Sequence, residues 1–260
     1  MKKLLAAILC LSFLLVGCSQ PDNRSTDEKF IDALKSGLVA RWKIADDNSA
    51  LTPDYDNLAK AELNYIESFK DEDFENKELQ KLVKDYVDLI EQTQEISSLA
   101  ETNYDAFSTQ YNQIYYERLN DLRLINDINK LEFEQSNDQK NMDDLLYQAD
   151  VNNAVEELKE KFQFELADEH SDTELDYYYA TYEAIVTNDT DIAFNSFNGI
   201  VNEIGEDSVI FEQGYINADN WKPGETRKFD LFVDQPVKDF SITEITYSDS
   251  VTQNYQTIKF

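Results

Sequence analysis

The sequence contains few of the residues on which catalytic and metal-binding sites most often depend. Its 260 residues include one histidine, His170, and two cysteines, Cys10 and Cys18. A Ser-His-Asp triad, a multi-histidine zinc site or a Cys–His pair needs partners that this sequence lacks. The six glycines are dispersed, which excludes a glycine-rich phosphate loop. We therefore predict no catalytic residues, no resident metal, no cofactor and no enzymatic activity.

Basic side chains are also scarce. Lysine and arginine together number 23 against 53 aspartates and glutamates, so the formal net charge is −30. Nucleic-acid binding depends on basic contacts to phosphates, and this charge therefore excludes nucleic acid as a partner. An anionic membrane surface would also repel the chain. The acidity favours solubility through self-repulsion, with binding of cations or of a basic partner as the alternative.

One long apolar run is present, and it lies at the N-terminus. Leu4–Val16 follows two lysines and is 13 residues long, too short for a bilayer span of about 20 residues. Leu15–Cys18 reads Leu-Val-Gly-Cys and matches the lipobox of bacterial lipoproteins, in which the cysteine is diacylated. This predicts a signal peptide over residues 1–17 and a lipid on Cys18 that anchors the chain at the extracytoplasmic face of the cell membrane. An ordinary signal peptide or an uncleaved anchor is the alternative.

Cleavage of this signal peptide would leave the mature chain without a disulfide to stabilise it. The two lysines leave with residues 1–17, which shifts the formal net charge from −30 to −32 and leaves 243 of 260 residues. Cys10 would be removed and Cys18 would carry lipid, so no disulfide can form within the mature chain. Folding must then depend on a hydrophobic core, to which 15 phenylalanines and 15 tyrosines contribute apolar area.

The first half of the mature chain has helical periodicity. Residues 18–26 are polar and predict a tether, and residues 27–168 predict a helical domain. A capping box at Ser25–Glu28 marks the start of the first helix. Thr52 and Pro53 predict the start of a second helix, with the threonine as its N-cap and the proline at its first position.

A longer helical pattern follows, with neither glycine nor proline between Asn76 and Met142. Apolar residues first alternate steps of four and three, as in a heptad seam, and the seam shifts further along the chain. We favour a break near Ser97–Asn103 that produces two antiparallel helices, and the alternative is one long rod. A last helix is predicted over Met142–Phe164.

The second half has the period of β-structure. Alternating apolar residues begin at Tyr178, and Pro223-Gly224 predicts a type II turn. Further short strands are predicted at residues 192–204, 209–216, 226–233, 240–247 and 254–258. This spacing predicts a small β-sandwich over residues 173–260, with the domain boundary within Ala167–Thr173. The fold class is therefore α+β, an N-terminal antiparallel helical bundle followed by a C-terminal β-sandwich.

Three segments of the second half carry a resemblance to a known family. They are Val186–Thr190, Trp221–Glu225 and Phe229–Leu231. Together they resemble the FxLYD-type immunoglobulin-like module that ends many extracellular lipoproteins of low-GC Gram-positive bacteria. The stretch Phe30–Trp42 resembles the first helix of such lipoproteins. The resemblance implies a Gram-positive cell-surface lipoprotein of uncharacterised function, and it implies no site residues.

The remaining candidates for ligand binding are local. Tyr177–Tyr179 is a cluster of aromatics of the kind that suits sugars and peptides, or else an ordinary strand with tyrosines on both faces. His170 is predicted to be a solvated linker residue, with surface metal capture as the alternative. Asp71, Asp73 and Glu75 have the first spacings of a calcium loop, but asparagine and leucine replace the glycine and glutamate that such a loop requires.

These observations favour a lipid-anchored extracytoplasmic surface protein with a non-enzymatic binding role. The membrane is its partner through the lipid on Cys18, and the protein or cell-envelope partner is not specified. One alternative is a lipoprotein that captures a ligand or cation for a transporter, and another is a cell-wall enzyme that uses two carboxylates. A cleft with several inward carboxylates of perturbed pKa would favour these alternatives.

Overall fold

The computed structural model describes residues 22–47, 53–172 and 177–260. These residues form five helices, followed by seven strands in two antiparallel sheets. The predicted α+β class, with all helices before all strands, is therefore confirmed. Cys18, the signal peptide and the first residues of the predicted tether lie outside the described residues.

The helices form the N-terminal half of the chain. They are α1 (Thr26–Asp47), α2 (Tyr55–Ile66), α3 (Lys77–Ile96), α4 (Tyr104–Ile128) and α5 (Ser136–Lys159). Their shared core includes residues of α1, α2, α3 and α4, among them Phe30, Leu34, Leu38, Ile66, Leu79, Val83, Tyr86, Ile90 and Leu122. The predicted heptad seam of α3 is therefore the face that this helix buries.

The helix starts show which sequence signals were correct. At α1, Glu28 accepts from the Ser25 backbone N–H at 3.0 Å, and Ser25 Oγ accepts from the Glu28 N–H at 3.1 Å, which confirms the capping box. At α2 the N-cap is Asp54, whose side chain accepts from the Asn57 N–H at 3.1 Å. The predicted cap Thr52 lies outside the described residues, and Pro53 precedes the helix, so the predicted first position was wrong.

The long helical pattern is broken within the predicted range Ser97–Asn103, whereas the shift of the seam at Leu119 lies inside an uninterrupted helix. The helix α3 ends at Ile96, a single helical turn covers Leu99–Thr102, and α4 begins at Tyr104. The Asn103 side chain accepts from the Ala106 N–H at 3.3 Å and caps α4. The prediction of two helices is confirmed, and the alternative of one long rod is wrong.

The strands form two sheets of unequal size. They are β1 (Glu165–Asp172), β2 (Tyr177–Thr187), β3 (Phe194–Ile204), β4 (Ile210–Trp221), β5 (Thr226–Val233), β6 (Asp239–Asp249) and β7 (Tyr255–Lys259). One sheet has the order β1-β2-β5 and the other β4-β3-β6-β7. At the turn between β4 and β5, Gly224 has φ +79°, as the predicted type II turn requires. Buried Trp221 donates its indole N–H to the Glu225 carbonyl at 2.9 Å and fixes the same turn.

Two predicted elements need correction. The predicted helix Met142–Phe164 is observed as Ser136–Lys159. The segment Glu165–Asp172, predicted as the end of the helical domain and a linker, is strand β1 paired with β2. All side chains of β1 are exposed, so no alternation of apolar and polar residues marked it as a strand. His170 lies in this strand and not in a linker.

The helical half and the sheets share one hydrophobic core at α5. Val151, Val155 and Leu158 of α5 are fully buried in the same cluster as the inner faces of both sheets. Phe162, just after the helix, packs edge-on against Phe229 of β5 with ring centroids 4.8 Å apart. The helix α5 therefore belongs to both halves of the molecule, and it contacts both α4 and β6.

Candidate functional site

Two adjoining cavities lie between α4 and β7, an edge strand of the larger sheet. Their volumes are about 290 and 370 Å³, in the lower range of small-ligand sites. We call them together the tyrosine cleft. The lining residues are Ser108, Thr109, Tyr111, Asn112, Gln113, Tyr115, Tyr116, Asn152, Glu244, Tyr255, Gln256, Thr257, Ile258 and Lys259.

The wall from α4 is a row of aromatic rings. Residues four apart lie on one face of a helix, and the rings of Tyr111 and Tyr115 are nearly parallel with centroids 5.9 Å apart. Buried Phe107 continues the row, 5.2 Å from Tyr111, and Tyr55 of α2 packs 4.5 Å from Phe107. These contacts hold the row in place before any ligand binds.

The opposite wall is β7, which is held by a polar network with α5. The Tyr247 hydroxyl donates to Asn152 Oδ1 at 2.6 Å, and Gln148 Nε2 donates to the same hydroxyl at 3.0 Å. Gln256 of β7 donates to Gln148 Oε1. Tyr255 at the rim of the cleft is 71 % exposed, so its ring is free to contact a ligand. The cleft thus has a fixed floor and one exposed aromatic at its rim.

The tyrosine cleft is nearly uncharged in a strongly acidic protein. Two of its 14 lining residues are charged, Glu244 and Lys259, and their side chains approach to 3.9 Å of each other. At the chain's overall fraction of 29 % charged residues, about four would be expected. Burial raises the pKa of Tyr115, and burial together with the Glu156 carboxylate raises that of Tyr116. Both hydroxyls therefore stay protonated and neutral at physiological pH.

A separate cavity, of about 400 Å³, lies between α3 and α4 and is acidic. Asp85, Asp88, Glu117 and Asp121 line it. Burial, together with the charges of Asp85 and Glu117, raises the pKa of Asp121 to about 7. Lys70 lies 2.5 Å from Asp88 and compensates one of these charges. We call this cavity the acidic cleft.

The other sequence candidates lie apart from both clefts. Within the described ranges, no cluster of three or more His, Cys, Asp or Glu side chains has the geometry to hold a metal. In the segment of the calcium-like run, Asp73 pairs with Lys77. Exposed His170 lies with its Nε2 3.0 Å from Asp168 Oδ2.

The tyrosine cluster that the sequence did single out lies on the smaller sheet. Tyr179 of β2 is nearly parallel to Phe232 of β5, with centroids 6.2 Å apart. Tyr177 and Phe232 are more than half exposed. These residues form a second aromatic surface, separate from the tyrosine cleft. The sequence pattern did contain Tyr111, but its spacing assigned it to the apolar seam of a helix and not to a binding wall.

Comparisons with known proteins add little to this description. No family model matches the chain, and no curated protein is similar in sequence. A solved structure of IrmA from Escherichia coli is 10 % identical, with a TM-score of 0.26; the match covers 38 % of this chain and 87 % of that chain. Each helix of the described ranges is too short or too polar to cross a membrane.

Proposed function

We propose that this protein is a lipid-anchored, non-enzymatic binding protein of the extracytoplasmic face of the cell membrane, and that the tyrosine cleft is its ligand site. The observation that carries the proposal is this cleft, a nearly uncharged groove lined by aromatic and amide side chains in a protein of net charge −30. The lipobox at Leu15–Cys18 and the resemblance to FxLYD-type lipoproteins support the anchored location.

The composition of the cleft supports recognition over catalysis. Tyrosine offers a large, rigid and amphipathic surface at low entropic cost, while serine and asparagine offer adaptable hydrogen bonds. Tyr255 is exposed at the rim, whereas Tyr111 and Tyr115 are half-buried within the cleft. An arrangement of this kind can hold a ligand against aromatic rings and fix its orientation through a few polar contacts.

A second candidate function is cation capture for a transporter, and the acidic cleft favours it. Four carboxylates line this cavity, and the pKa of Asp121 is raised to about 7. No three of them are arranged as a preformed metal site in the described residues, so a cation would have to draw them together. Isothermal titration with CaCl₂ and MnCl₂, on the full chain and on Asp121→Asn, tests this function. A stoichiometric heat that Asp121→Asn abolishes would support cation capture, and heats of dilution alone would exclude it for these ions.

The lipid anchor is tested at Cys18. Cells that express the wild-type chain or Cys18→Ala are labelled with radioactive palmitate, and membranes are separated from the medium. We expect label and membrane retention in the wild type, and loss of both in the variant. Equal labelling of the two chains would show that Cys18 is not the attachment site.

The ligand site is tested by sedimentation with cell-envelope material. The full chain with Cys18→Ala, which cannot insert a lipid into the envelopes, is incubated with isolated envelopes, and Tyr255→Ala is compared with Tyr215→Ala in this background. Tyr215 is the matched control because it also lies on a strand, is 69 % exposed and is outside the cleft. We expect Tyr255→Ala alone to reduce the bound fraction. Equal binding of all three chains would contradict the assignment of the cleft.

A further inference from the structure

We infer that the tyrosine cleft binds a neutral carbohydrate chain. The inference rests on the proposed function, because it names the ligand class of the same site. Three properties of the cleft support it: its lack of unpaired charge, its balance of aromatic and amide groups, and its lack of a pocket for an apolar side chain.

Charge restricts the ligand first. The two charged lining residues, Glu244 and Lys259, approach each other to 3.9 Å, and the protein around them is strongly acidic. An anionic polymer such as a polyphosphate or a sulfated glycan would be repelled by the surrounding field and would find no free cation among the lining residues. A cationic ligand would find one carboxylate among the lining residues, that of Glu244, and would compete there with Lys259 at 3.9 Å. A neutral ligand therefore fits best.

The remaining side chains match the chemistry of sugars. A pyranose ring presents apolar C–H faces together with hydroxyl groups that both donate and accept hydrogen bonds. The cleft offers tyrosine rings for the faces, and the exposed amide of Asn112 can both donate and accept. The amide of Gln113 donates to Glu117 at 2.6 Å and that of Gln256 donates to Gln148, so these two offer a ligand their remaining hydrogen-bonding capacity. Tyr255, at the exposed rim, supplies an aromatic surface that a chain could contact as it leaves the cleft.

A peptide with apolar anchors fits less well. Peptide recognition generally uses a pocket for an apolar side chain or an open strand edge. Among the lining residues Ile258 is the one aliphatic side chain, and it is 7 % exposed and belongs to the core. The edge of β7 faces α4 across the cleft. The lining therefore favours a ligand whose apolar surface is flat and whose edges are polar.

The test is binding of the full chain to an array of neutral and anionic glycans, in a polyoxyethylene detergent because glycoside detergents would themselves present sugars. The strongest neutral glycan is then titrated by calorimetry into the wild type, Tyr255→Ala and Tyr215→Ala. We expect 1:1 binding, weakened at least tenfold by Tyr255→Ala and less than twofold by Tyr215→Ala. Asn112→Asp, which adds a charge at nearly constant volume, should also weaken binding.

Several results would overturn the inference. They are binding confined to anionic glycans, no binding to the array, or equal losses in the Tyr255 and Tyr215 variants. If envelope sedimentation depends on Tyr255 but the array shows no neutral glycan, the ligand class is wrong and the proposed site stands. If envelope sedimentation is also independent of Tyr255, both the ligand class and the site are wrong.

Discussion

At the scale of single residues, a fully buried carboxylate lies inside the helical bundle. Glu62 is fully buried, accepts two bonds from Arg118 Nη2 at 2.8 and 3.0 Å, and accepts another from the Tyr86 hydroxyl. Burial opposes ionisation of Glu62, but the guanidinium groups of Arg118 and Arg41 outweigh it and hold the pKa below its usual value. Glu62 therefore stays ionised in the bundle, and its buried charge is stabilised by Arg118 and Arg41.

Removal of one partner should be costly. Arg118→Met leaves the Glu62 carboxylate buried without its main counter-charge, and we expect it to lower the free energy of unfolding by about 3–5 kcal/mol. Arg123→Met on the same helix removes a partly exposed ion pair with Asp127 and Asp150, and should cost about 1 kcal/mol or less. Urea denaturation measures both. Equal losses would show that Glu62 does not depend on Arg118.

The carboxyl of Asp121 should make stability depend on pH. Its folded pKa is about 7 against 3.8 for the free group, so the folded chain binds a proton more tightly than the unfolded chain. The stabilising contribution of Asp121 to the free energy of unfolding is therefore fully present below about pH 4 and is lost as the pH rises through 7. Asp121→Asn should raise the free energy of unfolding at pH 8 by about 1–2 kcal/mol and change it little at pH 4.

The control for this effect is an exposed aspartate. Asp191→Asn removes the same charge from an exposed position in the segment between β2 and β3, so its effect should be small at both pH values. The comparison uses urea denaturation at pH 4 and pH 8. A stabilisation by Asp121→Asn that is equal at the two pH values would contradict the raised pKa.

At the scale of elements, the helices and strands that could be predicted from the sequence are those with one buried face, because burial of one face leaves a periodic pattern of apolar residues. The break near Ser97–Asn103 was predicted, although the shift of the seam at Leu119 lies inside the uninterrupted helix α4. Alternation marked the strands from Tyr178 onward. Strand β1 could not be predicted, because it is exposed on both faces and is specified by its pairing with β2. The tyrosine cleft could not be predicted either, since Tyr111 and Tyr255 lie far apart in sequence and line one cavity only in the folded chain.

The role of α5 leads to a prediction about fragments. The change from helical to strand periodicity in the sequence suggests that residues 173–260 fold separately. That fragment, however, lacks β1 and the core residues Val155, Leu158 and Phe162. We expect residues 173–260 to show no cooperative thermal transition, while residues 136–260, which keep α5 and β1, show one. Circular dichroism during heating measures this. A cooperative transition in residues 173–260 would show that the sheets do not need α5.

At the scale of the whole molecule, the dominant feature is negative charge spread along the chain. At 0.1 M salt the field of each charge is screened beyond about 10 Å, so self-repulsion weakens as salt is added. We expect the melting temperature to rise gradually with NaCl. Millimolar CaCl₂ should add little beyond NaCl of equal ionic strength. A rise specific to calcium would instead support a bound cation, with the acidic cleft as its first candidate location.

Hydrogen exchange measures the position of the ligand site most directly. The full chain with Cys18→Ala, which cannot attach through a lipid, is exchanged with and without isolated cell envelopes, and protection is compared between the two aromatic surfaces. We predict new protection in Ser108–Tyr116 of α4 and in Tyr255–Lys259 of β7. Protection confined to Tyr177–Thr187 and to the strand that carries Phe232, with the tyrosine cleft unchanged, would place the ligand on the smaller sheet and contradict the assignment of the cleft.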